Sequence, residues 1–218
     1  MHTLRTRSVL SLALALGAAL LAGAGCYPGD TPVADITVTL HDTGKNFKAS
    51  YSTFALPDSA VIDIGNPDDP GYQPIEHNFD AQIFARIRNN LTARGWVEIP
   101  EEQITPSNRP DVVVLVSALV ATSTAVSGYP PYWGWWPGWG YPGYGWGYPC
   151  CWTVVQYTTG TLLLDMLAEK DADPISQITP VPWAARMNGL VNKSNVSASR
   201  LEKVIDQAFT QSPYLDIQ

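Results

Sequence analysis

The chain is short of the residues from which catalytic and metal chemistry is most often assembled. Of its 218 residues, three are cysteine and three are histidine. Three cysteines are too few for a disulfide-built mini-fold. No Cys-x-x-Cys or His-Glu-x-x-His spacing exists to hold zinc, and no Gly-x-Ser-x-Gly elbow flanks any serine. Charged residues make up only 15%, with 13 Lys and Arg against 20 Asp and Glu, a net charge of −7. That balance excludes a nucleic-acid binder that works by neutralising phosphates. No apolar run reaches the length of a membrane-spanning helix, which excludes a polytopic membrane protein. The sequence therefore points to no catalytic residue, no metal and no cofactor. An enzyme reading would have to use a site near His77 or near Asp165, the latter set in a strongly apolar strand. The bland reading is that both histidines beyond the leader, His41 and His77, are exposed, and that Asp165 faces solvent or bonds a neighbouring loop.

Residues 1–25 read as an address. Arg5 and Arg7 form a short positive region, and Val9–Ala22 is an apolar run of signal-peptide length. Gly23, Ala24 and Gly25 precede Cys26, an arrangement that resembles the bacterial lipobox, with Gly23 where a Leu usually stands. The resemblance implies acylation of Cys26 and a membrane partner through that anchor. Tyr27 in place of Asp after the cysteine implies an outer-membrane lipoprotein facing the periplasm. Removal of 1–25 takes away two arginines and no acid. The mature chain is then more acidic still, which suits a domain hanging in the periplasm rather than one lying on anionic lipid.

The remainder divides into a polar tether, 26–33, and one domain, 34–212. Ala34–Leu40 alternates as a half-buried strand does, and Ser50–Leu56 reads as a second short strand. Residues 58–74 read as loop. Over 77–94, Phe79, Ile83, Phe84, Ile87 and Leu91 fall on one stripe of a helix, with Asn78 as a candidate N-cap and Gly95 as the residue that follows its end. Val112–Val120 is apolar on both faces and reads as a central strand. Trp152–Tyr157 and Thr161–Leu167 resume strand-type residues around a bend at Gly160, and Val181–Val191 alternates again. A last helix, Ser199–Thr210, carries Leu201, Val204, Ile205, Ala208 and Phe209 on its apolar side, with Ser199 and Glu202 at capping-box spacing. This order predicts an α+β fold: a mostly antiparallel sheet of four to five strands with two helices packed on one face. The acidic stretch Glu169, Asp171 and Asp173 lacks the ligand spacing of a calcium loop and reads as a solvated hairpin turn.

Spread through this domain are Tyr51, Thr53, Phe54 and Ala55; Leu91, Arg94, Gly95 and Trp96; Pro110, Asp111, Val112, Val113 and Val114; Gly160, Thr161, Leu162, Leu163, Leu164 and Asp165; and Val181 and Trp183. In this order and spacing the chain resembles the bacterial lipoprotein family named domain of unknown function 4136. It departs from the family at Ala184 and Ala185, where members tend to carry Arg-Gly. The resemblance implies an envelope lipoprotein with no established reaction.

One segment is unlike the rest. Residues 129–149, YPPYWGWWPGWGYPGYGWGYP, consist entirely of Tyr, Trp, Pro and Gly. Its prolines and glycines forbid helix and regular sheet, so it reads as the extended tip of a hairpin inserted in the domain. Tyr132, Trp133, Trp135, Trp136, Trp139, Tyr141, Tyr144, Trp146 and Tyr148 are the candidate binding residues. Their rings suit sugar faces and lipid headgroup depth, and the Pro-rich turns among them suit a protein groove. The expected partners are thus the membrane, a glycan or another envelope protein. The alternative is a low-complexity insertion that folds back over the domain or stays disordered. Cys150 and Cys151 follow at once. Three states are open to them: a strained bridge to one another, a bond to a partner chain, or one buried and one reactive thiol.

Overall fold

The apolar run that begins at Val112 becomes the middle of a mixed sheet. The computed structural model describes residues 32–57, 59–65, 67–68, 72–119, 124–125, 155–156, 160–173, 179–190 and 197–218. Cys26, Cys150, Cys151, the address segment 1–25 and the aromatic segment 129–149 lie outside them. The architecture is that of the unit Val33–Gln218. In chain order its elements are α1 (Val33–Ile36), β1 (Thr37–His41), α2 (Phe47–Ser50), β2 (Thr53–Ala55), β3 (Ile62–Asp63), α3 (Asp80–Thr92), β4 (Val97–Glu98), β5 (Val112–Leu119), β6 (Thr124–Ala125), β7 (Val155–Gln156), β8 (Thr161–Leu167), β9 (Trp183–Met187) and α4 (Ala198–Thr210).

Seven strands form the main sheet in the order β1-β9-β8-β5-β2-β4, with β3 beside β2 on the same edge of β5. The β1-β9-β8-β5 half is antiparallel, whereas β2, β3 and β4 run parallel to their neighbours. The expected four- to five-stranded, mostly antiparallel sheet is therefore corrected to a mixed one of seven strands. The reason is physical. A tight turn can reverse a strand, but parallel neighbours need a crossover, and α3 supplies it between β2 and β4. At two residues each, β3 and β4 are too short to display an alternating pattern.

The two long helices do lie on one face. Ile83, Phe84, Ile87 and Leu91 of α3 and Leu201, Val204, Ile205, Ala208 and Phe209 of α4 share one core cluster with Val112, Val114 and Val116 of β5 and Leu162, Leu164 and Met166 of β8. Alternate residues of the same strands, Val113, Leu115, Leu119, Leu163 and Leu167, are buried on the other face. Both faces of β5 and β8 are covered, as their largely apolar runs require.

Several boundaries move. Val33–Ile36 is a helical turn rather than the start of a strand, and Val33 and Ile36 pack against the core. Residues 47–50 form a helical turn capped by Asn46, whose side chain accepts from the Ala49 amide at 3.2 Å. His77–Phe79 is a 3-10 turn, so Asn78 is not a cap; α3 starts one residue later with Asp80 in its first turn. Asp80 instead accepts from the Val61 amide at 2.9 Å and tethers the preceding loop. Ser197, not Ser199, caps α4, accepting from the Arg200 amide at 3.2 Å. Gly95 keeps its expected place: it sits at φ +90°, and the bonds Gly95 N to Thr92 O (3.1 Å) and Trp96 N to Leu91 O (3.2 Å) close the end of α3 in a Schellman turn.

Candidate functional site

The end of the sheet from which the aromatic segment departs is fixed by strand register. β5 and β8 pair from Val113↔Leu167 to Leu119↔Thr161. β6 and β7 pair Thr124↔Gln156 and Ala125↔Val155, which continues the same register. Gly160 stands where β8 begins, at φ +72°, a conformation that side-chain-bearing residues avoid. Its carbonyl accepts from the Leu190 amide at 2.9 Å, and Thr161 Oγ1 bonds Asn188 Oδ1 at 3.2 Å. β6 and β7 form a separate two-stranded pair, and its register is the one that β5 and β8 share.

Asp165 does not face solvent. It is 7% exposed and stands in register between Leu115 of β5 and Ala184 of β9, on the face away from the helices. Arg186 lies two residues beyond Ala184 on the same strand, and therefore on the same face. His77 is at the other side of the sheet, ahead of α3. It is exposed, and its Nδ1 lies 2.7 Å from Asp80 Oδ2. The fold thus keeps the two positions that an enzyme reading would use on opposite faces. His41, at the end of β1, is exposed and stacks on Tyr214 with ring centroids 3.7 Å apart.

The densest group of charged side chains gathers at the opposite end of β5 and β8 from the insert. Lys45 Nζ (2.7 Å) and the Tyr51 hydroxyl (2.6 Å) both donate to Asp171 Oδ2. Burial, reinforced by the Asp171 carboxylate, pushes the Tyr51 phenol well above its usual range. For Asp171 itself, burial would raise the carboxyl, but the bonds from Lys45 and Tyr51 outweigh it and hold the group below its ordinary value. Arg109 bonds Glu169 at 2.9 Å; burial still leaves that carboxyl raised. Asp111 accepts from the amides of Ser52 (2.8 Å) and Thr53 (3.0 Å), and its own amide donates to Thr53 Oγ1 at 2.8 Å. The stretch 169–171 is therefore no solvated turn. It is a 3-10 turn whose carboxylates are engaged by Lys45, Tyr51 and Arg109. The partners come from 58 to 126 residues away, so no local spacing announces the knot. Its hydrogen bonds close on one another, and what it does is fasten β2 to β5 and to the turn after β8.

Among the described residues no group of three or more His, Cys, Asp or Glu side chains is placed to hold a metal ion, and no helix is long and apolar enough to cross a membrane. The nine aromatic candidates, Cys26, Cys150 and Cys151 lie outside the described residues.

A mixed seven-stranded sheet with two long helices on one face, and polar groups that tie its strands together, defines an α+β domain. The chain belongs to the family "Domain of unknown function (DUF4136)", whose model matches residues 37–214. It is similar to the crystal structure of a DUF4136 family protein from Bacteroides thetaiotaomicron, at 28% identity and a TM-score of 0.59, over 84% of this chain and 97% of that one. A PelC dodecamer from Paraburkholderia phytofirmans matches over 84% of this chain and 99% of that one, at 10% identity and a TM-score of 0.39, a likeness too distant to bear on this chain. No curated protein matches it in sequence.

Proposed function

We propose that this family member is a lipid-anchored protein of the bacterial envelope, held through Cys26 at the outer membrane and facing the periplasm. Its work is binding, through the aromatic segment 129–149, to a glycan, a headgroup layer or another envelope protein. The observation that carries the reading is the shared register of β5–β8 and β6–β7. The paired strands β6 and β7 bracket a segment made only of Tyr, Trp, Pro and Gly. Trp and Tyr are the residues that contribute most at contact surfaces.

Two experiments test it. Replacing residues 129–149 by a short Gly-Ser linker is expected to leave the thermal midpoint unchanged and to abolish retention of the protein by purified envelope fractions. Unchanged retention would refute the binding role. Palmitate labelling of the wild type against Cys26→Ser tests the anchor, and an unlabelled wild type would refute it.

A further inference from the structure

Among the described residues one long edge of the sheet is open: there β1 borders β9 alone. The bonds Asn188 N to Ile36 O and Asp42 N to Pro182 O, both 2.8 Å, lie in the β1–β9 register. Because alternate residues of an antiparallel strand bond to the same neighbour, Val38 and Leu40 point their backbone groups at β9, while Thr39 and His41 point theirs outward. Among the described residues nothing bonds those outward groups. Natural edges are blunted by proline, charge or bulges. Thr37–His41 reads TVTLH and carries no proline, no Lys and no acid, and its register with β9 is unbroken. Val38 and Leu40, 50% and 64% exposed, are two of the three exposed large apolar residues among those described. The other edge strand, β4, has two residues, one of them Glu98 held by Arg88 at 2.7 Å.

We propose that β1 pairs with β1 of a second copy of this chain, antiparallel about Leu40, so that the sheet continues across a two-fold axis. The edge is self-complementary in that register. Thr39 stands opposite His41 of the second copy and the reverse, so every outward N–H and C=O of these residues finds a partner. Leu40 meets Leu40 of the second copy, which covers the most exposed large apolar residue among those described. Val38 stands opposite Asp42 of the second copy. A register about Thr39 would need the edge at Thr37, which is already covered at 3% exposure. Charge selects the same strand: each copy carries a net charge of −7, and an uncharged strand is where two such copies repel least. A pairing this short covers less than the roughly 1,000 Å² that a stable interface needs, so it forms at high local concentration, which tethering of copies on a surface would provide.

The test uses the purified full chain with Cys26, Cys150 and Cys151 replaced by serine, so that it is independent of the lipid anchor. Leu40→Cys in this background is oxidised with copper phenanthroline at increasing concentration, with Val97→Cys, on the other edge and 60% exposed, as the collision control. The expected result is a reducible dimer from Leu40→Cys that rises with concentration well above the control. Adding Thr39→Pro removes an outward N–H without breaking a bond to β9 and is expected to bring the dimer down to the control level. Val38→Asp, placed opposite Asp42, is expected to weaken the dimer, and Val38→Lys to preserve it. Both are exposed substitutions that spare the fold. Cross-linking of Leu40→Cys no better than Val97→Cys would overturn the proposal, as would equal effects of Val38→Asp and Val38→Lys. A monomeric Leu40→Cys chain in which Thr39→Pro abolishes capture of another envelope protein would also overturn it and assign the edge to a foreign strand.

Discussion

Asp111→Ala should cost more stability than any other change to a charged side chain in this domain. The carboxylate joins the start of β5 to the start of β2, parallel neighbours that no tight turn connects. It accepts from the amides of Ser52 and Thr53 and from Ser52 Oγ at 2.8, 3.0 and 3.0 Å. Its side chain is 16% exposed. Hydrogen bonds to a charged group are worth about 1.5–3 kcal/mol each, but Ser52 is exposed and its amide regains water in the variant. The ion pair with Lys170, whose side chain is 56% exposed, adds close to nothing. The expected loss is about 2–3 kcal/mol for Asp111→Ala and about 1–2 kcal/mol for Asp111→Asn, which keeps an acceptor. At about 2–4 °C per kcal/mol for a domain of this size, the alanine variant should melt about 4–12 °C lower. Burial would raise this carboxyl, but the bonds from Ser52 and Thr53 outweigh it and hold it below the usual range. A depressed carboxylate contributes stability above its unfolded pKa of about 3.9 and loses it as pH falls through the lower folded value. The gap between wild type and Asp111→Asn in urea unfolding should therefore be full from about pH 5 to 7 and shrink below about pH 4. Other depressed carboxylates, Asp171 and Asp206, titrate in both proteins and cancel. An alanine cost under about 0.5 kcal/mol at pH 7, or a gap to Asp111→Asn that stays constant down to pH 3, would refute the reasoning.

Three further substitutions test other joints, each by denaturant unfolding at pH 7. Gly95→Ala should lose about 1–2 kcal/mol: φ is +90°, and a Cβ there would stand 3.0 Å from Gln218 Cγ and 3.3 Å from its amide. Ser212→Ala should lose about 1–3 kcal/mol, because the Trp183 indole N–H, which donates to Ser212 Oγ at 2.9 Å in a fully buried site, is left without a partner; a neutral result would mean that water replaces the hydroxyl. Arg86→Ala should lose under about 1 kcal/mol, and less in high salt, since its pairing with Asp206 between α3 and α4 is more than a third exposed on both sides.

The helices and the central strands were legible because their signals are local. The stripe from Ile83 to Leu91 and that from Leu201 to Phe209 repeat every three to four residues, and both become the buried sides of α3 and α4. The largely apolar runs of β5 and β8 became strands buried on both faces. What the pattern could not show depends on distance along the chain. Strand direction on the β2 side follows from the crossover through α3, and β3 and β4 leave no periodicity. Asp111, Asp171 and Tyr51 look like ordinary loop residues until folding brings Ser52, Lys45 and Asp171 to them from 59, 126 and 120 residues away. Asp165 misled for the opposite reason: an acid in a strand suggests a wet face, yet both faces of this sheet are covered at β8.

The residues that carry the family resemblance say where function is to be sought by where they sit. Phe54, Leu91, Val112, Val114, Leu162, Leu164 and Trp183 fill the core under the helices. Trp96 stacks against Tyr51 and donates its indole N–H to Leu215 O at 2.8 Å. Gly95 closes α3, Gly160 opens β8, and Thr53 and Asp111 clasp β2 to β5. Each is accounted for by packing, a backbone conformation or a strand joint, which are demands that the fold makes whatever the protein does. A pattern made largely of such residues identifies the scaffold. What is particular to this chain must then lie where the pattern makes no demand. Two places qualify: the connection between β5 and β8, with its load of Trp and Tyr, and the outward edge of β1. They make separable predictions, since deleting residues 129–149 leaves the edge intact and Thr39→Pro leaves the aromatic segment intact. A chain that loses envelope binding only with the first, and self-pairing only with the second, uses the two independently.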